Sequence, residues 1–326
     1  MNFRTQITIP KTNHPIDYNS KVISIGSCFA ATISTKLEYF KFQQYGNPFG
    51  ILFQPNAIEN LLTRAVENRL FTEDDLVFEN ELWHCLEVHS ELSNSDQSDM
   101  LINLNGILTF LCGQLQEATH LVITFGTAWT YRYLETQKRV ANCHKIPQTK
   151  FSKEILSVEE IVTSLQNIQN LLKKFNPDLN FIFSISPVRH LKDGFVENQQ
   201  SKAHLIAALH QFISHLNVVE QKKVHYFPAY EIMMDDLRDY RFYTEDMLHP
   251  NETAIQYIWG IFMEAHISYH AFPIMNELDS IQIADIENKI LEKFDPSRLT
   301  ALRPLHEKAD VYFSKFAFRL FCRLWK

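Results

Sequence analysis

What most constrains this chain is an alternation. Short β-branched or aromatic runs at 21–25 (KVISI), 42–45, 121–125 (LVITF), 181–185 (FIFSI) and 224–227 are separated by longer stretches of helical period at 30–39, 56–68, 100–117, 158–175 and 198–215. Strands that alternate with helical crossovers close into a parallel sheet covered by helices. A last helix is expected from near Pro250 through Ile255, Ile258 and Met263, since proline suits a first helical turn. Two insertions interrupt the rhythm, near 71–95 and 129–151. The first holds a hairpin-like excursion over 71–89, turning at Glu79-Asn80. The second mixes aromatic and polar residues without a steady period and reads as a long functional loop. The sequence is expected to divide into a main domain over 1–270 and a helical extension over 271–326.

The balance of 31 Lys+Arg against 38 Asp+Glu leaves a net charge of −7, the wrong sign for a chain that wraps nucleic acid. Five cysteines, Cys28, Cys85, Cys112, Cys143 and Cys322, are too few and too odd for a disulfide framework. The opening residues lack a signal-peptide core, and nowhere do about 18 apolar residues run together. A cytoplasmic location is the expectation.

Ligands of a parallel sheet bind beyond the carboxyl ends of its strands. That rule selects Gly26-Ser27-Cys28, Asn47-Pro48-Phe49-Gly50, Gly126-Thr127-Ala128-Trp129, Ser186-Pro187-Val188-Arg189-His190 and, past the last strand, Asp246-Met247-Leu248-His249-Pro250. A serine at a Gly-supported turn into a helix presents its hydroxyl where N–H groups face a developing oxyanion. Ser27 fits, and Asp246 with His249 supplies an acid and a base within one loop. The plainer role for Ser27 is a helix cap, and Cys28, a thiol at a helix start, is the competing nucleophile. Here Phe29 and Ala30 stand where an α/β-hydrolase elbow needs a second glycine.

These residues carry a resemblance. SIGSCFA at 24–30 is similar to the motif of the GSCFA family, a bacterial group placed in the SGNH (GDSL-like) hydrolase superfamily. Further blocks resemble it at 47–55 (NPFGILFQP), 124–132 (TFGTAWTYR), 142–145 (NCHK), 186–194 (SPVRHLKDG) and 237–251. The resemblance implies a three-layer α/β/α fold with five parallel strands and a nucleophilic serine in the first block, but lends no substrate. The first hypothesis is an esterase or O-acyltransferase of SGNH type acting on an ester-linked acyl group, on a carbohydrate or lipid-like substrate. Ser27 would be the nucleophile, His249 the base and Asp246 its orienting acid. The oxyanion would be held by N–H groups of Ser27 and Gly50 (or Gly46), with help from Gly126 and its neighbours. At the third block Ala128 stands in place of the superfamily asparagine, a donor whose loss can cost about 2.7 to 4 kcal/mol of transition-state stabilisation. Asn142, Thr127 and His144 are the candidate replacements. A degenerate module that binds an acylated glycan without turnover is the rival reading.

Trp129, Arg132, His144, Arg189 and His190 are candidates for holding substrate, the arginines as anion clamps and the tryptophan as a stacking platform. The bland role for Arg132 and Arg189 is an ion pair with a residue such as Asp193 or Glu197. His84, Cys85, His89, Cys143 and His144 invite a zinc reading, but their spacing lacks paired ligands, and no metal or organic cofactor is expected. Over 311–326, Lys315, Arg319 and Arg323 recur on one helical face among aromatic residues. That pattern suits a membrane surface, or packing on the domain or in a dimer.

Overall fold

A computed structural model describes residue 5 and residues 7–293. The expected basic helix over 311–326 lies outside the described residues. The chain forms two compact units, 1–268 and 269–326. In the first, β1 (Lys21–Gly26) leads into α1 (Cys28–Tyr39), β2 (Gln43–Gly46) and α2 (Pro55–Val66). A hairpin of β3 (Leu76–Glu79) and β4 (Leu82–Cys85) follows, then α3 (Gln97–Glu117) and β5 (His120–Phe125). Next come β6 (Trp129–Tyr133), β7 (Arg139–Val140), β8 (Phe151–Ile155), α4 (Val158–Phe175), β9 (Asn180–Ile185) and α5 (Phe195–His215). The unit closes with α6 (Val218–Gln221), β10 (Val224–Phe227), α7 (Ala229–Glu231) and α8 (Glu252–His266). The second unit contains α9 (Phe272–Lys293).

The main sheet has five strands in the order β10-β9-β5-β1-β2, all parallel. Ile23, Ile25, Ile123, Phe125, Phe183 and Ile185 face the cluster built by α2, α3, α4 and α5, while the alternate residues face α1 and α8. Helices therefore cover both faces, the three-layer α/β architecture expected from the alternation. Strand order reverses between β1 and β5, so the crevice at their carboxyl ends is where such a sheet receives a ligand.

The segment 129–151 is not a loop. Strands β7, β6 and β8 make a separate antiparallel sheet whose Tyr133, Val140 and Phe151 pack with Ile146 and with Leu86 beyond the hairpin. Its strands are short and its connections polar, which hides the alternation in WTYRY. The β3–β4 turn falls at Asn80-Glu81, both at positive φ, one residue later than expected. Pro250 does not open α8; Asn251 caps it through Ala254 N at 3.1 Å.

Arg64 joins the hairpin to α2. It is 2% exposed, pairs with Asp75 and Glu87 at 3.0 Å each, and stacks over Phe71 at 4.2 Å. Arg64→Ala would strand two partly buried carboxylates and is expected to cost about 3 kcal/mol in urea unfolding. A loss under about 1 kcal/mol would show that water replaces the pair.

Candidate active site

The first wall of the crevice is the turn from β1 into α1. Gly26 sits at φ 138°, and a Cβ there would lie 2.1 Å from Thr124 O, so only glycine fits. The turn delivers Ser27 as the N-cap of α1, its Oγ accepting from Phe29 N at 3.3 Å. Ser27 is 0% exposed. Cys28, the first residue of the helix, is half-buried. Burial pushes its thiol pKa up, opposed by the charge of Lys202 and by the backbone N–H groups of Phe29 and Cys28.

The second wall is the loop before α8. Asp246 Oδ2 accepts from His249 Nδ1 at 2.6 Å. Its Oδ1 accepts from Thr244 Oγ1 at 2.6 Å, Leu248 N at 2.8 Å and His249 N at 3.0 Å. Those contacts, with the Thr244 hydroxyl foremost, hold the carboxyl far below its ordinary range. A carboxylate facing Nδ1 fixes the proton there and leaves Nε2 as the basic nitrogen. The loop is anchored to the end of β9 by Arg189 N, which donates to Leu248 O at 3.2 Å, and α8 is tied to α1 by Lys36 and Glu252 at 3.0 Å. Among the described residues no hydrogen bond joins Ser27 to His249.

Three of the expected oxyanion N–H groups already carry backbone hydrogen bonds. Ser27 N donates to Thr124 O at 2.9 Å, Gly50 N to Asn47 O at 2.8 Å and Gly126 N to Phe53 O at 2.8 Å. Asn142 spends Oδ1 on His144 N at 2.8 Å. Gly50 closes its own turn on Asn47, whereas the Ser27 and Gly126 N–H groups reach carbonyls on distant segments. Two donors lie beside the Ser27 turn. Cys28 N has no backbone acceptor among the described residues, as befits a first helical turn, and faces its own thiol. Asn47 turns Oδ1 to Gly26 N at 2.8 Å and leaves Nδ2 buried without a partner. The side-chain amide absent at 128 thus has a counterpart at 47, on the neighbouring strand end.

Two expected substrate clamps are structural instead. Arg132 grips Glu154 through both nitrogens, at 2.7 and 3.0 Å, rather than Asp193 or Glu197. His144 is buried in the hairpin contact, with Nε2 on Cys85 O at 2.8 Å and Nδ1 on Ser93 Oγ at 3.3 Å, and burial pulls it down to about 4. Trp129 donates Nε1 to Glu197 O at 3.1 Å and carries Lys153 over its ring at 4.4 Å. Arg189 and His190 follow β9 and adjoin the Asp246–His249 loop. The Arg189 guanidinium lies over Tyr243 at 4.4 Å and Tyr240 at 5.2 Å, with no carboxylate partner among the described residues. His190 meets Phe53 edge-on, and its unpartnered Nε2 lies 3.1 Å from where a Gly126 Cβ would stand. Burial first, then Lys202 and His249, pull His190 down to about 3, so it is neutral.

Lys202 is a buried charge at these strand ends that motif reading missed. It is 0% exposed, and its Nζ donates to Gly126 O at 2.8 Å and Ser186 O at 2.7 Å, tying together the ends of β5 and β9. Burial draws its pKa down to about 7, against Cys28 and Glu231, which hold it up. Its neighbour Ser201 accepts from Ala128 N at 2.7 Å and bonds the Thr127 hydroxyl at 2.9 Å. A signal was present, since Asn198, Lys202, Leu205 and Leu209 share the helix face that α5 buries. Among the described residues no group of three or more His, Cys, Asp or Glu is placed to hold a metal ion. No described helix is long and apolar enough to cross a membrane.

Comparison with known proteins adds two findings. The GSCFA family model matches residues 21–262, from β1 to α8. Among solved structures the chain is similar to a carbohydrate esterase family 3 from Talaromyces cellulolyticus, at 10% identity and a TM-score of 0.29, covering 51% of this chain and 63% of that one. No curated protein matches the sequence.

Proposed function

We propose that this chain, which belongs to the GSCFA family, is a hydrolase or acyltransferase of SGNH type, acting on ester-linked acyl groups with His249 as general base and Asp246 as its orienting acid. The observation that carries the reading is the Asp246–His249 pair at 2.6 Å, with the carboxylate fixed by three further hydrogen bonds. A merely structural histidine needs no such scaffold, whereas a base that must accept and return a proton in one orientation does. The nucleophile comes from the Ser27-Cys28 turn, where the α1 dipole favours the anion formed on attack. Cys28 N and Asn47 Nδ2 receive the oxyanion, and Arg189, between its two tyrosines, meets a polar or anionic part of the substrate. The acyl donor is a small-molecule or glycan ester, and whether water or another alcohol accepts the acyl group is decided by the same residues.

The engaged N–H groups of Ser27, Gly50 and Gly126 favour one second reading, a module that binds an acylated ligand without turnover. Hydrolysis of p-nitrophenyl acetate and butyrate by the full chain separates the two. Turnover above the buffer rate by about 10²-fold or more is expected for the enzyme, and a folded protein with none would leave the binding module.

A further inference from the structure

We propose that the nucleophile of this site is the Cys28 thiol and that Ser27 serves as the cap that shapes the turn. The inference rests on the hydrolase reading above and sharpens it.

Access comes first. Ser27 is wholly enclosed, and its hydroxyl is engaged with Phe29 N as the α1 cap, whereas Cys28 reaches the crevice half-buried. Donor geometry points the same way. A nucleophile at the start of a helix shares the oxyanion with its own backbone N–H. Ser27 N is committed to Thr124 O, while Cys28 N has no backbone acceptor among the described residues and faces its own thiol. Two further polar atoms beside the turn are buried and unpartnered. They are Asn47 Nδ2 and the hydroxyl of the fully enclosed Thr124, which stands in register with Gly26. Unsatisfied buried groups of this kind are costly, and an incoming ligand oxygen would satisfy both. Finally, the enclosed ammonium of Lys202 is the charge that acts on the thiol, together with the N–H groups of residues 28 and 29.

Because burial still holds the thiol protonated at rest, the proton must leave to a base. In the balanced sequence His249 Nε2 takes the Cys28 proton as Sγ attacks the acyl carbon. The C–S bond forms, the ester C–O bond breaks, and the departing alcohol takes the proton from His249. Water, deprotonated by His249, then attacks the thioester carbon. The C–S bond breaks and Cys28 regains its proton as the acid leaves.

The test traps the acyl group. The full chain is mixed with p-nitrophenyl acetate, quenched in acid and mapped by peptide mass spectrometry, alongside Ser27→Ala, Cys28→Ala and Cys28→Ser. The expected result is an acetyl adduct on Cys28, in the wild type and in Ser27→Ala, that neutral hydroxylamine removes. Turnover in Cys28→Ala should fall about 10³-fold or more, with an unchanged circular dichroism spectrum. An adduct on Ser27 that persists in Cys28→Ala overturns the proposal and leaves the esterase reading standing. A folded wild type with neither adduct nor turnover overturns that reading, and the thiol assignment with it. Cys28→Ser, the conservative variant, controls for folding: an acetyl adduct at position 28 that resists neutral hydroxylamine supports the assignment, and wild-type activity with the adduct on Ser27 overturns it.

Discussion

The His249→Ala protein is expected to hydrolyse p-nitrophenyl butyrate about 10³-fold more slowly than wild type while unfolding at nearly the same temperature. The two halves of that expectation have separate physical grounds. General base catalysis by a placed imidazole contributes roughly 10² to 10⁴ in rate. The ring is half exposed and its one side-chain partner is Asp246, so its removal empties no cavity in the core. Asp246→Asn should follow with a smaller loss, about 10²-fold. An asparagine oxygen can still accept from Leu248 N and His249 N and so keep the loop, yet its amide opposes the Nδ1 proton and turns the imidazole to the wrong tautomer. Steady-state rates with both variants, beside thermal melts, check the pair. A His249→Ala enzyme within threefold of wild type would remove His249 from the chemistry.

That the loop could be found at all from sequence reflects what a one-dimensional pattern encodes. Asp246 and His249 are three residues apart and make their contact locally, so spacing alone predicts it. The three central strands β1, β5 and β9 were similarly legible, because a strand buried on both faces reads as a near-continuous apolar run, as FIFSI and LVITF do. The oxyanion assignments were not legible. The N–H of Gly50 closes a local turn on Asn47 O, but the carbonyl that receives the N–H of Gly126 belongs to Phe53, on a chain segment that sequence leaves unplaced. Arg132 shows the same limit, since its partner Glu154 is its neighbour only because β6 pairs with β8. Lys202 lies between. Its place on the buried stripe of α5 can be read from helical period, but the two carbonyls it joins, Gly126 O and Ser186 O, belong to strand ends separated by about 200 Å of extended chain at roughly 3.3 Å per residue.

The Lys202→Met protein tests that residue through pH. Burial lowers Lys202 to about 7 in the folded chain, whereas an unfolded lysine holds its proton to about 10.4. Between those values the unfolded state binds more protons, so this residue makes the wild type more stable as pH rises. Below pH 7 both states are charged and the cost of burying the ammonium is felt in full. Methionine removes the titration, so the stability of wild type relative to Lys202→Met should rise by about 3 kcal/mol between pH 7 and 9.5. The groups that face Lys202 are Cys28 on α1, Glu231 on α7, His190 after β9 and the Tyr230 ring at 5.4 Å. His190 is neutral throughout that interval, and Cys28 and the buried tyrosines are present in both proteins, so the difference between them isolates the lysine to first order. Urea unfolding at four pH values supplies the measurement. A flat difference would mean that the ammonium keeps its charge across the interval, held by Gly126 O and Ser186 O. In either case the variant leaves those two carbonyls without their donor at the crevice between β1, β5 and β9. Ester hydrolysis is therefore expected to fall about tenfold or more even where stability is matched, because the ends of β5 and β9 no longer share an anchor.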